Sequence, residues 1–295
     1  MKTPMLQFTT PTDMRAFSRA QRQAGKRLAC VPTMGALHAG HLSLIKQASS
    51  AADLVVATIY VNPTQFDNPE DLAAYPKTLE ADLEMLAKAG VAAVYLPTNE
   101  VMYPNGYCTF VEVIGPLTDK LCAVARPGHF RGVTTVVTKL FNAVEPDVAI
   151  FGEKDLQQVL IINRMVRDLD LPVEIQVAPT LRDPDGLAMS SRNRRLTPEM
   201  RIKALGLPRG LELVRRAFNQ GETRSMKLIE ILANELLIHE GVDLDYGDVI
   251  SLADFSEAES ADGRCTLAAA VFIDGVRLID HILLDGPAIA VNVDD

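Results

Sequence analysis

Short apolar runs alternate with helical periods through the first two thirds of this chain. Leu28–Val31, Leu54–Val61, Val91–Leu96, Val148–Phe151 and Val173–Val177 have strand length, and between them apolar positions recur every three or four residues. Thr78–Ala89 sets Leu79, Leu83 and Leu86 on one face, with Lys88 near its end and Gly90 as a stop; Leu156–Leu169 behaves similarly. Apolar strands separated by amphipathic helices form a parallel sheet covered on both faces. The expected fold class is therefore α/β, a Rossmann-like parallel sheet domain, and such sheets bind ligands at the carboxyl ends of their strands.

Residues Arg182–Pro198 break the alternation. Asp183-Pro184-Asp185-Gly186 is a turn sequence, a polar basic stretch follows, and Thr197-Pro198-Glu199 reads as a helix start with proline in its first turn. Two long helical stretches come next, Pro198–Phe218 and Thr223–His239. Strand-like runs then follow over Leu244–Leu252, Thr266–Ile273 and Arg277–Leu284, the last two joined by Asp274-Gly275. This reading predicts one domain over residues 1–186 and a smaller α+β C-terminal domain over residues 187–295.

The stretch Pro32-Thr33-Met34-Gly35-Ala36-Leu37-His38-Ala39-Gly40-His41-Leu42-Ser43 stands where an apolar strand passes into a helix. A helix start carries unpaired N–H groups and partial positive charge, so phosphate oxygens are favoured there. His38 and His41 lie on one face of that turn. The glycine spacing matches a Walker loop, but His41 and Leu42 stand where that loop needs Lys and then Ser or Thr, so the motif is a different one. Imidazoles that donate to phosphate oxygens fit, as do a metal pair or a chance pair of histidines. Zinc wants three or four ligands, whereas His129, His239 and His281 are scattered and the cysteines form no C-x-x-C.

Four further clusters carry polar chemistry. Asn62-Pro63-Thr64-Gln65 follows the apolar run 54–59 and offers neutral amides at a strand's carboxyl end, or is simply a proline turn whose amides serve its own backbone. Gly152-Glu153-Lys154-Asp155 opens a helix after Val148–Phe151, with Gln158 one turn on; the alternative is a solvated charge run. Gly186–Arg195 concentrates Ser190, Ser191 and three arginines, suited to a polyphosphate or to a basic linker. Arg126-Pro127-Gly128-His129-Phe130-Arg131-Gly132 adds charge or is only a turn before the helix Val133–Asn142.

With 38 acidic and 29 basic residues the net charge is −9, which argues against a general nucleic-acid binder. No apolar run approaches the roughly 20 residues that span a bilayer. Residues 1–7 hold no apolar signal core, and four unclustered cysteines read as reduced thiols, so a cytoplasmic location is expected.

Taken in order, these clusters resemble the pantothenate synthetase (pantoate–β-alanine ligase) family, within the nucleotidyl transferases and class I synthetases that share an H-x-G-H signature. The match runs from Val31 to Arg201 and returns at Arg277-Leu278-Ile279-Asp280. The resemblance implies ATP-dependent condensation of pantoate with β-alanine through a pantoyl adenylate, releasing AMP and pyrophosphate, in pantothenate and coenzyme A biosynthesis. It implies ATP, with Mg²⁺, held by Met34, Gly35, Ala36, Leu37, His38, Ala39, Gly40 and His41, by Gly152, Glu153, Lys154 and Asp155, by Leu181 through its backbone, and by Met189, Ser190, Ser191 and Arg192. Catalytic roles fall to His41, as proton donor, and to His38 and Lys154; Gln65, Gln158 and Asn62 hold pantoate and β-alanine, and no protein metal site is expected. A homodimer is implied as well, with the C-terminal domain covering the site. Two departures from the family pattern occur, Lys77 for a usual Arg and Arg195 for a common Tyr. The rival readings are a cytidylyl- or adenylyltransferase that stops after nucleotide transfer, and a nucleotide sensor without turnover.

Overall fold

A computed structural model describes residues 4–284. The strands are β1 (Leu6–Phe8), β2 (Leu28–Thr33), β3 (Leu54–Ile59), β4 (Ala93–Tyr95), β5 (Val148–Gly152), β6 (Glu174–Ala178), β7 (Val242–Ser251), β8 (Cys265–Ile273) and β9 (Val276–Leu283). The helices are α1 (Pro11–Gln23), α2 (Ala39–Ala51), α3 (Pro69–Ala73), α4 (Leu79–Ala89), α5 (Asn99–Met102), α6 (Cys122–Ala125), α7 (His129–Val144), α8 (Leu156–Asp168), α9 (Pro198–Ala204), α10 (Gly206–Asn219) and α11 (Ser225–Leu236).

The chain divides into two compact units. The first comprises the described residues up to Ile114 together with Arg126–Pro179; the second comprises Gly115–Ala125 and the described residues from Thr180 onward. The division falls at Pro179, a few residues before the boundary read from the sequence, and Gly115–Ala125 joins the second unit although it lies within the first in sequence.

In the first unit six strands form a sheet in the order β1-β4-β3-β2-β5-β6, every pair parallel. This is the Rossmann-like α/β sheet expected from the alternation of apolar runs. The order reverses between β2 and β5, so successive connections diverge there and leave a crevice beyond the carboxyl ends of these two strands. Small and branched residues fill the sheet: Ala29, Val31, Val55, Ala57, Val94, Val148 and Ile150 pack with Leu37, Ile45 and Leu86 of the covering layer.

In the second unit β7-β8-β9 form an antiparallel sheet. Leu207, Leu211 and Val214 of α10 and Leu228, Leu232 and Leu236 of α11 share a core with Leu267, Ala269 and Val271 of β8. The helical stretch expected over Pro198–Phe218 is broken into α9 and α10. Pro208 has no N–H to give to the carbonyl four residues back, and its ring crowds that carbonyl, so one helix ends and the next begins with the proline in its first turn.

Candidate active site

The loop between β2 and α2 is set by a short chain of hydrogen bonds. The Thr33 hydroxyl donates to the Thr58 carbonyl at 2.7 Å and accepts the Gly35 N–H at 3.1 Å. Gly35 and Ala36 then take positive φ values of 79° and 52°. For alanine this left-handed conformation is unfavourable and needs support. Asp82 of α4, 2% exposed, supplies it: its Oδ2 accepts the Ala36 N–H at 2.9 Å and its Oδ1 the Leu37 N–H at 2.8 Å. Thr78 Oγ1 donates to the same carboxylate at 3.1 Å.

His38 and His41 cap α2 reciprocally. His38 Nδ1 accepts the Gly40 N–H at 3.2 Å, and His41 Nδ1 accepts the His38 N–H at 3.3 Å, with ring centroids 4.1 Å apart. This is the geometry of a capping box with imidazoles in place of a hydroxyl and a carboxylate. A nitrogen that accepts a backbone N–H carries no proton, so both rings hold theirs on Nε2. The amides of Gly35, Ala36, Leu37, His38, Gly40 and His41 all have partners within the chain. The sequence points to helix-start amides and imidazoles together as phosphate donors of this turn; in the structure the six amides named above are bonded within the chain.

The carboxyl end of β3 carries a second polar group. Asn62, 1% exposed, donates from Nδ2 to Gln65 Oε1 at 3.0 Å and to the Gly132 carbonyl at 3.1 Å. Its Oδ1 accepts from Thr64 Oγ1 at 2.9 Å and from the Tyr103 hydroxyl at 2.8 Å. Both Nδ2 hydrogens are used, so Asn62 orients Gln65 rather than reaching outward. Gln65 Nε2 lies 3.2 Å from Met34 Sδ, which joins this group to the β2–α2 loop.

The Arg126–Gly132 stretch braces the Gln65 backbone. His129 Nδ1 donates to the Gln65 carbonyl at 2.7 Å, and Arg126 donates to it at 3.1 Å. Arg126 Nε also bonds Asp67 at 2.8 Å. Burial pushes the Asp67 carboxyl up, but the Arg126 bond and nearby charges outweigh it and hold the group below its usual range. Gly132 permits the approach of α7: a Cβ there would lie inside van der Waals contact of the Thr64 carbonyl and 2.8 Å from Gln65 Cα. Gly132→Ala is expected to cost about 1–3 kcal/mol of stability by overpacking, because the Thr64–Gln65 backbone must give way; denaturant melts check it. A wild-type midpoint would show that the Gln65 loop tolerates the shift.

At the carboxyl end of β5, Gly152–Asp155 leads into α8. Lys154 stands 3.5 Å from Asp155 with its side chain 17% exposed, and half-buried Gln158 follows one turn later. Since β5 pairs directly with β2, the crevice brings this segment and the two imidazoles to neighbouring strand ends.

The remaining candidates lie in the second unit. Arg182 and Ala188 form an isolated antiparallel bridge, and the Met189 N–H donates to the Leu181 carbonyl at 3.0 Å. Ser190 Oγ then accepts the Arg192 N–H at 3.3 Å and opens a tight turn over Ser191–Arg195, held by Asn193 Nδ2 on the Ala188 carbonyl at 3.0 Å. The stretch that reads as a loop is thus an ordered hairpin and turn.

Sequence reasoning passed over Asp82 and the bracing role of Arg126 and His129. A signal for Asp82 exists: it sits three residues after Leu79 and four before Leu86, an acid on the apolar stripe of an amphipathic helix. Among the described residues no three His, Cys, Asp or Glu side chains gather as a metal cage, and none of the helices is long and apolar enough to cross a membrane.

The family model for pantoate-beta-alanine ligase matches residues 6–283. The pantothenate synthetase of Moorella thermoacetica is 49% identical over 272 residues, covering 92% of this chain and 96% of that protein. The crystal structure of pantothenate synthetase from Thermus thermophilus superposes with a TM-score of 0.89 at 39% identity, over 95% of this chain and 99% of that one. A pantoate-beta-alanine ligase from Francisella tularensis, complexed with beta-gamma ATP and beta-alanine, gives 0.80 at 34% identity over 96% of this chain and all of that one. With a reciprocal imidazole cap at the sheet's switch point, and relatives this similar along almost its whole length, the chain belongs to the pantoate-beta-alanine ligase family.

Proposed function

We propose that this ligase joins pantoate to β-alanine in two steps through a pantoyl adenylate, with His41, His38 and Lys154 as its catalytic residues. In the first step a carboxylate oxygen of pantoate attacks the α-phosphorus of ATP, and the bond to the β-phosphate oxygen breaks to release pyrophosphate. In the second the amine of β-alanine attacks the acyl carbon, AMP leaves with the bonding pair, and the nitrogen loses a proton to give the amide. No protein nucleophile is needed, so catalysis consists of positioning and charge stabilisation.

The observation that carries this reading is the pair of imidazoles fixed through Nδ1 at the start of α2, beside the strand end that carries Lys154. Imidazole N–H groups and an ammonium aimed at phosphate oxygens stabilise the charge that moves onto pyrophosphate. ATP is assigned to Met34–His41, Gly152–Asp155, Leu181 and Met189–Arg192, whose hydroxyl and guanidinium groups suit phosphates. Gln65 and Gln158 orient pantoate, and Gln65 also serves β-alanine; Asn62 acts through Gln65. Mg²⁺ usually takes few protein ligands beside phosphate oxygens and water, and in this reading it arrives with the nucleotide and neutralises its charge. The reading further includes a cytoplasmic location and pairing with a second copy of the chain, for which Phe110, 47% exposed, and Ile114, 89% exposed, offer apolar surface.

The test is AMP release from ATP and Mg²⁺ with pantoate and β-alanine, omitting each in turn. AMP that requires both acids, together with pyrophosphate released on pantoate alone, is the expected result. Nucleotide transfer to another acceptor with no AMP, or ATP binding without turnover, would overturn it.

A further inference from the structure

We propose that Arg182 and Asp280 are positioning residues for Ser190, Ser191 and Arg192, an inference that rests on the ATP contacts assigned to those three residues above. The segment Arg277–Asp280 belongs to the sequence pattern of the family, yet nothing in the reaction as derived uses Asp280. Its side chain, on β9, is 1% exposed and accepts both ends of one guanidinium: Arg182 Nη1 at 2.5 Å and Nη2 at 3.0 Å. The His281 N–H completes the set at 2.9 Å. The same Arg182 Nη1 donates to the Gly186 carbonyl at 3.2 Å, so a single guanidinium ties β9 to the turn of the hairpin that leads into Met189.

The turn of that hairpin is also held by a second guanidinium. Arg201 of α9 donates from Nε to Asp185 at 2.8 Å and from Nη2 to Asp183 at 2.7 Å. Within the hairpin the Asp183 N–H meets the Leu187 carbonyl at 2.8 Å. The residues just beyond it are therefore tied at their base to both β9 and α9. Stability alone gives little reason for burying the Asp280 carboxylate, since an apolar group of similar volume in such a place is often as stable or more so. What a two-pronged guanidinium–carboxylate contact adds is a fixed direction. Hydroxyl and guanidinium groups that must meet a polyphosphate need that, because a displacement of about 1 Å forfeits much of the rate.

The experiment compares Asp280→Asn, Arg182→Lys and Arg192→Ala in the full-length enzyme, reading KM for ATP, KM for pantoate at saturating ATP, kcat and the melting temperature. Asp280→Asn is expected to raise KM for ATP about 10- to 100-fold, the scale of a lost hydrogen bond to a charged group, with KM for pantoate within about twofold of wild type. Arg182→Lys, which keeps the charge and loses the fork, falls between; it decides the matter should Asp280→Asn fail to fold. If Arg192→Ala weakens ATP use while Asp280→Asn and Arg182→Lys only lower the melting temperature, the positioning role is overturned and the ATP assignment stands. If Arg192→Ala leaves ATP use unchanged, the assignment itself falls and the positioning role with it.

Discussion

Pyrophosphate release in a single turnover is expected to slow by a factor on the order of 10²–10⁴ when His41 is replaced by alanine, the range for a lost proton donor or charge-stabilising group. In the proposed reaction the ring has two duties that alanine removes together: Nδ1 accepts the His38 N–H, and Nε2 supplies the proton to phosphate. A glutamine at this position of a capping box can still accept that N–H through its side-chain oxygen. His41→Gln should therefore melt near the wild-type temperature and yet react as slowly as His41→Ala. A glutamine variant that recovers most of the rate would mean that His41 matters for the shape of the turn and that the acid lies elsewhere.

Asp82→Ala is expected to destabilise the first unit by about 2–4 kcal/mol, because two buried backbone N–H groups lose the carboxylate that accepts them. It should also weaken ATP use at least tenfold, a loss of roughly 1.4 kcal/mol or more, since Ala36 holds its left-handed conformation against that carboxylate. Asp82→Asn refines the test. The amide retains an oxygen for Leu37 but turns an N–H toward the Ala36 N–H, so volume is conserved while one contact becomes repulsive. Denaturant titration and ATP saturation of both variants check this, and wild-type ATP use in a destabilised Asp82→Asn protein would separate the loop's shape from nucleotide binding.

Much of this architecture was legible in the order of residues. The apolar runs that became β2, β3 and β5 read clearly because strands buried on both faces leave a continuous signal. The placement of the H-x-G-H segment at a strand-to-helix junction followed from the change of period at Leu42. Other elements left no such trace. The three-residue β1 is an exposed edge strand with no room for a pattern. The largely polar α1 buries only Met14 and Ser18, and docks through Arg19 on Glu145 at 2.7 Å and Arg15 on the Asn142 carbonyl at 3.0 Å. Such long-range polar contacts do not show in a local window. The individual atoms of the site were also hidden: that His38 and His41 cap each other, that Asn62 is spent on its neighbours, and that Asp82 underlies Ala36 are facts of tertiary contact.

The pairing of β2 with β5 extends over only two residues, Ala29 with Val148 and Cys30 with Ala149, whereas β2 meets β3 over six and β5 meets β6 over five. The first unit is thus two half-sheets, β1-β4-β3-β2 and β5-β6, stitched along a short seam. Helix α2 lies across that seam, where the Gln47 side chain donates to the Val177 carbonyl of β6 at 3.3 Å. The helix whose start the two imidazoles cap is also the strap that keeps the half-sheets together, so the shape of the candidate site and the cohesion of its sheet depend on one element.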